Sequence, residues 1–421
     1  MVEQHTLKGA WRITALLFAF MMINFADKVI VGLAGAQIMA DMKLTPREFG
    51  FVGSSFFFLF SIAAVATGFI VNHVRSKTVL LIMGLVWALV QFPMVGTVGV
   101  ETLIACRIVL GAGEGPAYPV ALHAVYKWFP NEKRAIPGAV VAQGAGVGVI
   151  LTVPLLNWII THYNWHYAFG VLGVLGLVWV LLWLVFGEEG PLADELAGQA
   201  DGAGRVPYSR LLLNSTNLAS WCVYFAAYFG LALVLSWFTP YLVTVLAFDQ
   251  TTAGKLTALV FLVGFFIIIL GSWISDRLLK SGWSSRWARG FFAGACVSVG
   301  GLALIAVPTV ESAGAKIALV ILGTMLPSVI YTLGPAMIGE ITPSSQRGAM
   351  LAIGSAVGTS AGIFAPYFMG NSIQDALSPA AGYHHGFVVC GMLAVAGGAI
   401  GMIFFRPAPY AAMHPAPNAA R

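Results

Sequence analysis

The segment Trp165–Gly187, WHYAFGVLGVLGLVWVLLWLVFG, contains no Asp, Glu, Lys or Arg. As a helix it is long enough to cross the hydrocarbon core of a bilayer, which takes ~20 mostly apolar residues. The stretch that follows, 188–210, reads EEGPLADELAGQADGAGRVPYSR and is rich in acidic residues, glycine and alanine. This order predicts a membrane-spanning helix followed by a linker outside the membrane.

The same apolar pattern recurs along the chain. Lipid offers the backbone no hydrogen-bond partners, so each segment must satisfy its own backbone groups, which favours helices. The stretch 188–210 separates six segments from six, and predicts an N-terminal bundle, 1–187, a cytoplasmic linker, 188–210, and a C-terminal bundle, 211–421. The fold class is therefore an all-α membrane protein with twelve spans, numbered in chain order: 11–38, 49–72, 78–98, 101–127, 137–161, 165–187, 211–246, 252–276, 287–308, 315–339, 348–371 and 384–406.

The composition excludes several other classes of protein. Of the 421 residues, 59% are hydrophobic and 9% are charged, and the mean hydropathy is +0.86. A soluble domain carries ~25% charged residues, so this chain has too few charges to cover a water-facing surface. No soluble basic module offers a face for nucleic acid. Four cysteines lie singly in apolar stretches without metal-ligand spacing, so we expect buried thiols and neither a metal nor another cofactor: Cys106, Cys222, Cys296 and Cys390.

The distribution of basic residues predicts an orientation. Most of the 22 Lys and Arg residues fall in segments that are cytoplasmic if both termini lie inside, which satisfies the positive-inside rule. We therefore expect a multi-pass inner-membrane protein with both termini in the cytoplasm. The apolar run after Met1–Trp11 continues through Ile38 and is too long for a signal peptide, so we expect it to be retained as span 1.

Several motifs resemble one family, and the two halves echo each other. A charged turn followed by a glycine-rich span occurs at 131–148 and again at 345–362, which predicts a pseudo-twofold relation between the bundles and a cavity between them near the membrane midplane. The layout resembles the major facilitator superfamily and, within it, the anion:cation symporter family of organic-acid, sugar-acid and phthalate-type permeases. The matching stretches are Asn24–Lys28, Arg107–Pro116, Trp128–Pro130 with Glu132 and Arg134, Trp237 with Pro240–Tyr241, Ser275–Leu278, and the series Gly354, Gly358, Gly362 and Pro366.

The chain departs from that family in five places. Asn72–His73 stands where members usually carry Asp-Arg, and Lys28 where they usually carry Arg. Phe60 replaces a common Tyr, and Ser355 and Thr359 stand at positions that are typically Asn. These changes predict a less polar cavity and a more apolar organic anion. The resemblance also implies a monomer and cytoplasmic gate contacts that form in one conformer and break in the other, made by Glu132, Arg134, Asp276 and Arg277.

Four charged side chains lie within spans: Asp27, Lys28, Arg107 and Glu114. Each costs ~2.5–3.5 kcal/mol at a helix centre, so we expect a functional use. Arg107 and Glu114 are seven residues apart, on one helix face and ~10 Å apart along the axis, too far to pair. We expect Arg107 to bind a substrate carboxylate with a two-bond fork, Lys28 to add a second positive charge, and Asp27 and Glu114 to carry protons. Alternatively, Arg107 neutralises Asp27 and Glu114 makes an interhelical hydrogen bond.

Other side chains are weaker candidates for lining the cavity. Tyr118, four residues after Glu114, could hydrogen-bond it. A bend in span 4 beside Glu114 is predicted by a run of glycine and proline residues, because proline lacks a backbone donor: Gly111, Gly113, Gly115, Pro116 and Pro119. For the aromatic candidates, packing or interface anchoring is the alternative. The full set of further substrate-binding candidates is Phe60, Tyr118, Gln143, Tyr228, Ser236, Trp237, Ser355 and Thr359.

These features predict a secondary active transporter that imports an organic carboxylate with protons by alternating access. Its expected partners are the small anion, protons and the lipid bilayer. A uniporter or an anion exchanger of the same fold is the nearest alternative. A membrane sensor is a further alternative, although sensors usually append a signalling domain. A membrane enzyme is disfavoured because the spans carry neither a metal-binding cluster nor a Ser/His pair.

Overall fold

The computed structural model describes residues 2–70, 74–130, 133–192 and 206–407. Every regular element in these ranges is helical. Eleven helices in the described ranges are long and apolar enough to cross a membrane. The remaining predicted span, span 4, is present but broken into two shorter helices, so the all-helical expectation is confirmed.

The helices follow the predicted order and shift mainly at their ends. Span 1 ends earlier than predicted, at Leu33, and a short helix, Gly35–Asp41, continues from it. The first six spans are Val2–Leu33; Pro46–Ser55 with Phe60–Ile70; Ser76–Gln91; Val100–Glu114 with Ala117–Tyr126; Ala135–His162; and Trp165–Phe186. The second six are Ser215–Leu233 with Val234–Phe238 and Thr239–Thr244; Gln250–Lys280; Arg286–Phe291 with Phe292–Ala306; Ala313–Met325 with Ile330–Ile341; Ser344–Thr359 with Ala361–Gln374; and Pro379–Phe404.

Spans 2 and 4 are interrupted where they pack against each other. Span 4 breaks between Glu114 and Ala117, which confirms the predicted bend at the Gly-Pro pair. A Cβ atom at Gly111 would overlap the backbone carbonyl of Phe56, so only glycine allows this approach. Phe56 begins the non-helical turn that interrupts span 2. The two helices therefore meet backbone to backbone, immediately beside the buried charges of span 4.

The chain forms two compact units. The first comprises the described residues within 1–200 together with 233–262 and 362–382, and the second comprises the described residues of 201–232, 263–361 and 383–421. The first unit thus contains parts of spans 7, 8 and 11 as well as the first six spans. The predicted division at 187 and 211 stays a prediction.

Segments from both halves of the sequence pack together within the first unit. The indole of Trp237 donates to the carbonyl of Pro366 at 2.9 Å, and its ring lies edge-on to Phe49. Arg47 donates to Asn371 at 2.6 Å and to Asp375 at 2.8 Å. Trp237 lies within a π-helical turn, Val234–Phe238, a feature often found at functional sites. These contacts tie span 2 to spans 7 and 11 inside this unit.

The second unit has an apolar core built from spans 7, 9, 10 and 12. Val223, Val297, Ile330 and Met337 are almost completely buried in it. Such burial supplies ordinary van der Waals packing, since lipid already surrounds the outer faces. The core fixes the helices that carry the tyrosine side chains described below.

Candidate functional site

Four charged side chains of spans 1 and 4 lie together in the first unit. Asp27 and Glu114 are each 1% exposed, Arg107 is 4% exposed and Lys28 is 6% exposed. Charges so deeply buried need partners, because desolvation costs several kcal/mol for each ion. The pairing among these four therefore determines which charges remain available for a ligand.

Lys28 and Glu114 form one pair. The Lys28 ammonium lies 3.3 Å from a Glu114 carboxyl oxygen, donates to the side-chain oxygen of Asn24, and faces the rings of Phe25 at 4.5 Å and Phe60 at 5.3 Å. In the described part of the chain neither Glu114 oxygen has an aligned hydrogen bond. The Lys28 ammonium thus has four neighbours that stabilise its charge, whereas the contact that stabilises the Glu114 carboxylate is the ion pair with Lys28.

Arg107 is held less completely. Its Nη1 donates to the backbone carbonyl of Asp27 at 3.1 Å, and its guanidinium carbon lies 4.5 Å from the ring centre of Phe56. Its Nε is buried and has no hydrogen-bond partner among the described residues. The Asp27 carboxylate instead accepts a hydrogen bond from Gln91 at 2.7 Å. Arg107 therefore keeps donors for a further acceptor.

The four charges were expected from the sequence, but two of their neutral hydrogen-bond partners, Asn24 and Gln91, were not. Asn24 lies one helical turn before Lys28, a spacing that could have indicated the contact. Gln91 ends span 3 and is 2% exposed, but the sequence pattern gives no partner for it. Both side chains are neutral and orient a charged group through a hydrogen bond: Asn24 orients Lys28, and Gln91 orients Asp27.

The remaining candidates of the first unit lie at different depths. Phe60 is buried against Lys28, and Ser236 and Trp237 are buried in the π-helical turn and its packing. Gln143 is half-buried. Tyr118 is 44% exposed, and the hydrogen bond that it could have made to Glu114 is not formed, because neither Glu114 oxygen has a hydrogen-bond partner among the described residues. The helix break between the two residues removes the regular four-residue spacing on which the expectation depended.

The candidates of the second unit form a cluster of hydroxyl groups. Tyr224 and Tyr228 of span 7 lie 5.0 and 6.4 Å, between ring centres, from Tyr331 of span 10. Tyr224 shares a hydrogen bond with Ser355, and Thr359 donates to the Ser355 carbonyl. Tyr331 was missed from sequence, because a lone tyrosine in an apolar span is typical of packing.

Two of the predicted gate residues contact aromatic rings in the described part of the chain. Arg134 donates to the carbonyl of Phe129 and lies over the ring of Tyr126. Asp276 and Arg277 are exposed, and Arg277 lies over Trp273. Glu132 and Asn72–His73 lie outside the described residues.

A charged cluster at the cytoplasmic side of the predicted topology was also missed. Lys127 binds Glu189 and donates to Ser76 Oγ at 2.9 Å, and Glu189 also accepts from the N–H groups of Ser76 and Lys77 at the start of span 3. Partial burial raises the pKa of Glu189, but the hydrogen bonds from Lys127 and from the two N–H groups outweigh it and lower the pKa. The cluster joins the ends of spans 3, 4 and 6.

The sequence matches known transport proteins along most of its length. The Major Facilitator Superfamily model matches residues 16–328. The D-galactonate transporter of Escherichia coli strain CFT073 is 28% identical over 65% of this chain and 69% of its own length. The hexuronate transporter of Bacillus subtilis is 25% identical over 94% and 95% of the two chains. A probable sulfoacetate transporter of Cupriavidus necator is 28% identical over 91% of each.

The fold matches solved transporter structures. A D-xylose–proton symporter superposes with a TM-score of 0.77 at 15% sequence identity, covering 94% of this chain and 98% of the other. A bacterial homologue of the human lysosomal transporter Spinster superposes with a TM-score of 0.74 at 15% identity, covering 95% and 97%. At these identities the likeness concerns the fold alone.

Proposed function

Because this chain belongs to the major facilitator superfamily and is a multi-pass membrane transport protein rather than an enzyme, we propose that it imports a small organic anion together with protons. The relatives whose names specify galactonate, hexuronate and sulfoacetate support an organic acid as the substrate class. The membrane is the inner membrane, with both termini in the cytoplasm, as the distribution of basic residues favours.

Arg107 carries this proposal. It is a buried cation with an unpartnered Nε, and its described hydrogen bond reaches a backbone carbonyl rather than a carboxylate. A guanidinium can hold a carboxylate through two parallel hydrogen bonds, which a lysine cannot do. A substrate carboxylate supplies the hydrogen-bond acceptor that Nε of Arg107 lacks among the described residues.

The two carboxyl groups couple protons to the anion. A carboxylate bound at Arg107 brings a negative charge into a cluster that already holds Asp27 and Glu114. Mutual repulsion favours uptake of a proton by one of them, and a proton already bound favours the anion by the same free energy. This reciprocity is the property that a symporter requires. Lys28 adds positive charge to the same cluster and steadies Glu114 while it is ionised.

Alternating access requires contacts that break in each cycle. The bonds of Arg47 to Asn371 and Asp375, which lie on the predicted outside, join segments from both halves of the sequence and are suited to this role. On the cytoplasmic side we assign gate roles to the pairs Glu132 with Arg134 and Asp276 with Arg277. The further substrate contacts remain as proposed from sequence: Phe60, Tyr118, Gln143, Tyr228, Ser236, Trp237, Ser355 and Thr359.

Uptake into proteoliposomes tests the proposal. With an inward proton gradient, we expect accumulation of an organic acid such as D-galactonate or another carboxylate that shifts the melting temperature in a thermal screen. Arg107→Ala should abolish binding, whereas Glu101→Gln, an exposed carboxyl on the same helix, should not. Accumulation that does not depend on the proton gradient would favour a uniporter or exchanger. Unaltered affinity of Arg107→Ala for the substrate would contradict the proposed hydrogen bonds from Arg107 to the substrate carboxylate.

A further inference from the structure

The buried cations limit how many carboxylates a substrate can carry. Among the described Lys and Arg side chains, three are buried: Lys28, Arg107 and Lys127. Lys127 binds Glu189, which follows span 6, and so belongs to the helix-end cluster. Two buried cations, Lys28 and Arg107, therefore remain at the proposed site.

Lys28 is already neutralised within the protein. Its ammonium has a carboxylate, Glu114, at 3.3 Å, an amide oxygen from Asn24, and two ring faces. An ammonium has three donors, and this environment satisfies it without a ligand. While Glu114 is ionised, Lys28 offers little attraction to a second negative charge.

Arg107 is in the opposite situation. Its described hydrogen bond is to a neutral carbonyl, and its Nε is buried without a partner. The Asp27 and Glu114 carboxylates act on Arg107 electrostatically, but neither makes a hydrogen bond to it among the described residues, and Asp27 accepts one from Gln91. One cation with free donors can accept one carboxylate in a two-bond fork.

We infer that the substrate carries a single carboxylate on an otherwise uncharged body, so that the transporter selects monocarboxylates against dicarboxylates of the same skeleton. This inference rests on the proposed function and makes it more specific. A second carboxylate would be desolvated without a cation, and uncompensated buried charges are strongly unfavourable. We expect a preference of about tenfold or more, since each 1.4 kcal/mol is a factor of ten in affinity.

Matched pairs of acids test the inference directly. The purified wild-type protein is titrated with D-galactonate against galactarate, propionate against succinate, and benzoate against terephthalate, and the same compounds compete for counterflow in proteoliposomes. Tighter binding of the one-carboxylate member in each pair that binds at all is the expected result. Equal or tighter binding of a dicarboxylate would overturn the inference, with the proposed function intact. If none of the six compounds binds, a carboxylate found in the thermal screen is compared with its partner that carries one carboxylate more or fewer, and if no carboxylate in that screen binds, the organic-acid function itself fails.

A variant isolates the role of Lys28. Glu114→Gln removes the internal carboxylate and releases Lys28, so dicarboxylate binding should gain several-fold relative to monocarboxylate binding. The matched control, Glu101→Gln, removes an exposed carboxyl from the same helix and should leave the ratio unchanged. An unchanged ratio in Glu114→Gln would contradict the claim that Lys28 is neutralised by Glu114. Because the comparison of acids in the wild type does not need this variant, poor folding of Glu114→Gln leaves the test in place.

Discussion

Replacing Lys28 by methionine should destabilise the protein far more than replacing Glu114 by glutamine. Lys28→Met leaves the Glu114 carboxylate 1% exposed and without an aligned hydrogen bond among the described residues. Removing one partner of a buried ion pair costs about 3–5 kcal/mol, since the other charge stays uncompensated. Glu114→Gln instead leaves Lys28 with the Asn24 oxygen and two rings, and each cation–π contact contributes about 0.5–2 kcal/mol. We therefore expect a loss of about 1–2 kcal/mol.

The double variant should be more stable than the sum of the single losses implies. With Lys28→Met and Glu114→Gln combined, no unpaired ion remains from this pair. The double-mutant cycle should then give an interaction energy of about 2 kcal/mol or more, within the usual range for residues in contact. Unfolding by SDS titration in mixed micelles provides the four free energies. A cycle of Lys28→Met with Glu101→Gln serves as the control and should be additive.

An interaction energy below about 0.5 kcal/mol would refute the reasoning, because distant sites add within that margin. Equal losses from the two single variants would also count against it. The asymmetry follows from the unequal number of contacts: Lys28 has four neighbours that stabilise its charge, whereas Glu114 has the ion pair with Lys28 and a longer-range attraction to Arg107.

Three further predictions concern other contacts. Gly111→Val should cost about 1–3 kcal/mol or prevent folding, because the side chain meets a backbone carbonyl of span 2, whereas Gly96→Val meets nothing and should fold; yield and melting temperature measure both. Gln91→Leu removes the donor to Asp27 and should lower proton-driven uptake while leaving the protein folded, and Gln91→Asn should recover less than wild-type uptake; equal rates would contradict a positioning role. The lowered pKa of Glu189 contributes stability above its unfolded pKa of about 4.3 that is lost as pH falls through the folded value; Glu189→Gln should therefore melt lower than wild type at pH 7, and the difference should shrink as the pH is lowered below about 4.3.

The fold could be predicted from the sequence because the bilayer imposes a simple rule. Segments such as 165–187 have to be helical, since no other structure satisfies their backbone in lipid. The bend in span 4 followed from Gly115 and Pro116 for a similarly local reason. Features that depend on a single helix and its surroundings could therefore be predicted from the sequence.

The pairing inside the site could not be predicted because it depends on how separate helices meet. Lys28 of span 1 and Glu114 of span 4 are far apart in sequence, and their contact depends on how these two spans pack together. Gln91 and Tyr331 are single polar residues in apolar spans, and no local pattern distinguishes a partner of a charge from a packed side chain. The sequence located the charges, and the tertiary structure determined which of them remain available.

The central claim is that Asp27 and Glu114 couple a proton to an anion held by Arg107. The most direct measurement compares uphill uptake with substrate exchange in proteoliposomes that contain Glu114→Gln, using a carboxylate that the wild type binds. The account predicts that accumulation driven by the proton gradient is lost while exchange across the membrane continues. Uphill accumulation at the wild-type level would contradict it and would remove Glu114 from the coupling mechanism.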